Sequence, residues 1–112
     1  MKKYLLYAME GEKMCFLHCL MNARQLKDAG HEVKIILEGK SCALAPQLEK
    51  EGNKLYLSLK EDGTIYGVCL ACSKVLGVYE ENEAAGLRFL DDMNSHAGFT
   101  SFAEQDYEVV VF

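Results

Sequence analysis

The chain has no apolar run approaching the roughly 20 residues of a membrane-spanning helix. Its opening stretch, Met-Lys-Lys-Tyr-Leu-Leu-Tyr-Ala, meets Glu10 and Glu12 too soon for a secretory leader, so it is expected to be a first strand. Positive charge is also in short supply. A net charge of −5 removes the electrostatic reason to expect nucleic acid or an anionic membrane as partner. There is no internal repeat, low-complexity tract or linker-like stretch. No glycine-rich phosphate loop is present either: Gly39-Lys40-Ser41 follows a strand, but the glycine such a loop needs five residues earlier is Lys34. The one proline, Pro46, lies in a helical stretch, so a thioredoxin-type site with a facing cis-proline is not expected.

Half of the 112 residues are apolar, enough for one globular domain spanning 1–112 with a real core. Five cysteines, an odd number in a domain of this size, point to reduced thiols in a cytoplasm. Lys3 to Ala8 reads as a strand buried on both faces. From Glu12 to Ala29 the pattern turns helical, with Phe16, Cys19, Leu20, Ala23 and Leu26 on one face. Gly30 ends that helix, and His31 to Leu37 forms a second strand, which makes a βαβ unit. Ser41 is the expected N-cap of a helix reaching about Glu51.

Lys54 to Lys60 alternates like a hairpin strand, yet its place between elements also suits a short helix. Ile65 to Val68 is β-prone, and Leu70 to Leu76 reads as a helix that Gly77 stops. Glu80 to Ala85 is a short helix, its acids most simply a solvated face. Leu87 to Leu90 is a brief strand, Phe99 to Gln105 a helical turn or two, and Tyr107 to Phe112 a last strand. This alternation predicts a three-layer α/β domain on a mainly parallel five-stranded sheet with helices on both faces.

In such sheets chemistry gathers beyond the carboxyl ends of the strands. The residues there are Met9 and Glu10, Glu38 to Cys42, Cys69 to Cys72, and Asp91 to His96. His31 begins its strand and belongs to the opposite edge, as a structural residue. Cys69 falls at a strand-to-helix turn and Cys72 inside the first helical turn, where unpaired N–H groups favour a thiolate. A reactive thiol is therefore the leading expectation, weighed against two buried small hydrophobes. His96 is a candidate to tune the thiols, weighed against an exposed loop histidine. Zinc held by Cys69, Cys72, Cys42 and His96 is the second reading, weakened by the absence of another close cysteine pair. Cys15 and Cys19, one helical turn apart, read as packing, and Cys42 as a residue at the start of a helix.

The Val68-Cys69 turn, the small and aliphatic helix after it, and Gly77 eight positions beyond Cys69 resemble the DsrE/DsrF-like family, which includes TusD-type sulfur-relay subunits. Tyr66 to Cys72 and Met93 to His96 also resemble small archaeal and bacterial members with Tyr-Gly-Val-Cys-x-x-Cys and Met-Asn-x-His. The resemblance implies a flavodoxin-like fold, helix rather than strand at 54–60, and a persulfide carried on Cys69. Cys72, where the relay subunits carry a small residue, becomes a resolving or second acceptor thiol, with His96 beside them and no resident cofactor. It further implies sulfur-donor and sulfur-acceptor proteins as partners and a homo-oligomer (dimer, trimer or hexamer). The alternatives are a zinc-binding or structural oligomer subunit and a ligand-binding flavodoxin-like module.

Overall fold

Lys3–Ala8 forms β1, and its last four residues are all buried. Glu32–Leu37 (β2) lies parallel to it, with Lys3 opposite Glu32 and Ala8 opposite Leu37. The computed structural model describes residues 1–112, and its remaining strands are Ile65–Cys69 (β3), Phe89–Leu90 (β4) and Glu108–Val111 (β5). All five strands are parallel, in the order β4-β3-β2-β1-β5. The result is a three-layer, flavodoxin-like α/β fold, fully rather than mainly parallel.

The layering follows from handedness. From β1 to β4 the chain steps the same way across the sheet, so right-handed crossovers place their helices on one face. These are Lys13–Asp28 (α1), Leu44–Glu51 (α2), Lys54–Glu61 (α3), Leu70–Val75 (α4) and Tyr79–Ala84 (α5). The return from β4 to β5 carries only Thr100–Glu104 (α6) to the other face. There Phe102 packs edge-on against Tyr66 and Tyr107, each with ring centroids 5.0 Å apart. α1 buries Phe16, Cys19, Leu20 and Ala23, the stripe that helical spacing requires. No helix is long and apolar enough to cross a membrane.

Two local expectations change. The helix expected from Ser41 begins instead at Leu44, after a 3-10 segment at Gly39–Ala43. Pro46 then sits in the first α-helical turn, where its missing N–H leaves no bond unmade. Ser41 does not cap that helix; its buried hydroxyl donates to the carbonyls of Ala8 and Glu38 at 2.7 and 2.9 Å. The fourth strand is also shorter than the expected Leu87 to Leu90, pairing only at Phe89 and Leu90.

The ambiguous stretch is helical. Asn53 Oδ1 accepts from the Tyr56 N–H at 2.9 Å, and Tyr56 and Leu59 are fully buried, three residues apart. The alternation of leucines was coincident with a helix whose Leu55 and Leu57 lie only partly buried. At the opposite edge of the sheet His31 is structural, its Nδ1 accepting from the Lys2 N–H at 3.1 Å.

The Asn53 cap gives the first prediction. Asn53→Ala is expected to lower unfolding free energy by about 1 kcal/mol, and Asn53→Asp to retain most of it. Urea denaturation of the two variants checks this, and equal losses would remove the cap from the account.

Candidate metal centre

β3 runs into α4 with no residue between them, so Cys69 is both the last strand residue and the N-cap of the helix. Its sulfur accepts the Cys72 N–H at 3.3 Å, one of the donors a helix start leaves free. Cys72, one turn on, returns to the same side and is partly exposed, whereas Cys69 has no exposed surface.

The loop after β4 delivers His96. Met93 and His96 exchange both backbone hydrogen bonds, at 2.8 and 2.9 Å, around Asn94 and Ser95. Both central residues have positive φ, 55° and 73°, the requirement of a primed hairpin turn. Asn tolerates that conformation; Ser does so at some strain. The Ser95 carbonyl then accepts the Ala71 N–H at 2.9 Å, tying the turn to the start of α4.

The fourth member is Glu38, the residue that ends β2. It is 4% exposed and no lysine or arginine pairs with it. Gly39 and Ala97 donate their N–H groups to its two oxygens, at 2.9 and 2.8 Å, and the Cys72 thiol donates at 2.8 Å. His96 Nδ1 lies 3.3 Å from Glu38 Oε1, 3.3 Å from Cys69 Sγ and 3.5 Å from Cys72 Sγ. Four donor atoms, Oε1, two Sγ and Nδ1, therefore lie within 4.8 Å of one another. A tetrahedral zinc with ordinary Zn–S and Zn–N lengths has donor-to-donor edges of about 3.3–3.8 Å. The His96 distances already match; the thiol–carboxylate pair would widen once a metal replaced the proton between them.

Cys69, Cys72 and His96, the three residues singled out by strand ends and spacing, are thus brought together. Cys42 is not part of the group: it is fully buried and donates to the Leu37 carbonyl at 3.4 Å. Burial pushes its thiol up to about 12, as it does for Cys19, so both are inert packing residues. Cys15 is partly exposed on α1 and makes no part of the cluster. Glu38 stood among the strand-end residues without being singled out; its signal was an acid placed directly where a buried strand ends. Tyr7 was missed entirely. From β1 its hydroxyl donates to the Ala97 carbonyl at 2.7 Å, steadying the residue whose N–H holds Glu38.

The electrostatics of the protonated cluster oppose a resting thiolate. Burial, then the adjacent Glu38, raise the Cys72 thiol well above its ordinary value. Burial also raises Cys69, against the Cys72 N–H that favours its charge. Burial works against the Glu38 charge too, but the Cys72 thiol and the Gly39 and Ala97 N–H groups together hold its carboxyl below the usual range. The proton therefore stays on sulfur and the charge on Glu38. A divalent ion would neutralise that carboxylate and let both thiols ionise.

A protein of Methanocaldococcus jannaschii of uncharacterised function is 31% identical over 94 residues, covering 84% of this chain and 77% of the relative. The chain belongs to the family of that archaeal protein. A second uncharacterised relative, from Archaeoglobus fulgidus, is 35% identical over 43 residues, 38% of this chain and 70% of its own length. No family model matches the chain, and no solved structure matches it.

Removing the Glu38 charge should lower the Cys72 thiol pKa, because a like charge no longer opposes the thiolate. In metal-free protein, Glu38→Gln is expected to speed iodoacetamide modification of Cys72 at pH 8 by on the order of tenfold. Mass spectrometry of timed samples measures it; an unchanged or slower rate would contradict the assigned proton position.

Proposed function

We propose that the protein holds one divalent ion of the zinc class through Cys69, Cys72, His96 and Glu38. The observation that carries this reading is the convergence of four zinc-type donors within 4.8 Å at the carboxyl edge of the sheet. A set with four protein donors suits a structural or metal-carrying centre rather than a hydrolytic one, which keeps a position open for water. Bound metal would supply the positive charge that lets two thiolates and a buried carboxylate coexist. The chain's own contribution is orientation: Cys69 is aimed by the helix start, His96 by the Met93–His96 turn, and Glu38 by two backbone N–H groups.

The test is titration of reduced, metal-free protein with zinc and with cobalt. One equivalent of each is expected, with near-ultraviolet thiolate-to-cobalt absorption and a visible band pattern of four-coordination. Cys69→Ser, Cys72→Ser and His96→Ala should each weaken binding by more than the roughly 10–100-fold typical of losing an outer-layer partner. Tyr7→Phe, acting only through Ala97, should fall within or below that range. No binding, or binding that survives Cys69→Ser undiminished, would reject the centre.

The second reading is sulfur transfer in a DsrE/DsrF-like cytoplasmic relay, with donor and acceptor proteins as partners and a homo-oligomeric assembly. What favours it is Cys72, partly exposed beside an apolar cleft of about 220 Å³ formed by Gly39, Lys40, Val75, Leu76 and His96. In that reading Cys72 meets the donor, since Cys69 is wholly covered. Intact mass after incubation with thiosulfate and a sulfurtransferase separates the two readings. A gain of one sulfur, abolished by Cys69→Ser or Cys72→Ser, supports the relay, and no gain in protein that binds zinc stoichiometrically rejects it.

A further inference from the structure

The two thiols of the cluster differ in access. Cys72 opens onto the apolar cleft between Gly39 and Leu76, while Cys69 lies behind it with no exposed surface. The sulfurs are within 4.8 Å of each other, and both approach the same His96 nitrogen. The Cys72 N–H donates to Cys69 Sγ at 3.3 Å, which holds the Cys69 side chain against the first turn of α4. Side-chain rotation can bring two such sulfurs to the roughly 2.05 Å of a disulfide without moving the strand. Cys42, the other buried thiol at this edge, is closed off, its hydrogen directed at the Leu37 carbonyl.

We infer that Cys72 is a site of thiol–disulfide exchange with small-molecule disulfides, that Cys69 is its resolving partner, and that closing the pair expels the metal. The expulsion rests on the metal reading above; the exchange does not.

In the first step the Cys72 thiol passes its proton to Glu38 Oε1, the acceptor 2.8 Å away, as its sulfur attacks one sulfur of the small disulfide. A bond forms between Cys72 Sγ and that sulfur, the small disulfide's own bond breaks, and the departing thiolate takes a proton from water. The Cys69 sulfur, losing its proton to water as it reacts, then attacks Cys72 Sγ, breaking the mixed disulfide and releasing a second small thiolate, which is protonated in turn. The two protein thiols lose two electrons and two protons in all, and the small disulfide gains them to become two thiols. Of the four donors only Glu38 and His96 remain, half of a zinc set.

The probe is oxidised glutathione in excess at pH 8, applied to zinc-loaded and to metal-free full-length chain. Intact mass, peptide mapping and zinc capture by a chromogenic chelator are followed together. Wild type is expected to lose two hydrogens, to yield a Cys69–Cys72 linked peptide, and to release one zinc per disulfide formed. Cys69→Ser should stop with one glutathione on Cys72, and Cys72→Ser should carry none on Cys69. A disulfide mapped to Cys15 or Cys42, an unchanged wild-type mass, or glutathione on Cys69 in Cys72→Ser would overturn the exchange. Zinc retained after the Cys69–Cys72 bond forms would overturn the expulsion. A chain that takes up no zinc defeats the metal reading, while the mass of the metal-free sample still decides the exchange.

Discussion

A carboxylate taken out of water with no lysine or arginine beside it must find its compensation in hydrogen bonds, and in this fold it finds them in three separate segments. Glu38 draws on Gly39 from its own turn, on Ala97 from the loop after β4, and on Cys72 from α4. Each of those segments reaches Glu38 only if β2, β3 and β4 lie side by side and end together. The buried charge thus works as a constraint on register: sliding β3 or β4 by one residue would take away the Cys72 thiol or the Ala97 N–H and leave a buried carboxylate short of a donor. Tyr7 extends the constraint to β1 through the Ala97 carbonyl.

The same arrangement gathers donors that a cation could use. The carboxylate and two thiols together carry one negative charge while the thiols keep their protons, and three once both ionise. Exchange of those protons for a divalent ion would replace hydrogen bonds of 2.8–3.5 Å by bonds from the same donor atoms to the ion. Little backbone movement is needed, because the helix start, the Met93–His96 turn and the Gly39 turn already aim the donors. Gly39 is indispensable to the last of these: its φ is +60°, and a Cβ there would lie 3.1 Å from the Met9 carbonyl.

The fold's asymmetry also bears on the site. Five helices crowd one face, while the other carries α6 and its aromatic contacts. Right-handed crossovers that step steadily toward β4 produce this imbalance without further cause. They also bring the ends of β2, β3 and β4 to one stretch of edge, which is where Glu38, the cysteine pair and His96 converge.

Most of the layout was legible in the residues themselves. Buried runs at Lys3–Ala8 and Glu32–Leu37, the helical stripe through Phe16 and Ala23, and glycines at the ends of elements report local preferences that tertiary structure had no reason to override. The placing of Cys69, Cys72 and His96 at one edge followed from strand direction alone. What the sequence left open was the fourth donor. Cys42 and Glu38 are four residues apart on the same turn, and which of them faces the site depends on how Gly39–Ala43 coils. Residues 54–60 were open too, since alternating leucines satisfy either period until Asn53 caps the first turn and Tyr56 finds the core. The sequence by itself determined the elements, their order and the edge where chemistry collects, because these depend on neighbours along the chain. Only the tertiary structure decided that Glu38 enters the site and that Cys42 is turned away, because distances between side chains far apart in sequence are set by packing.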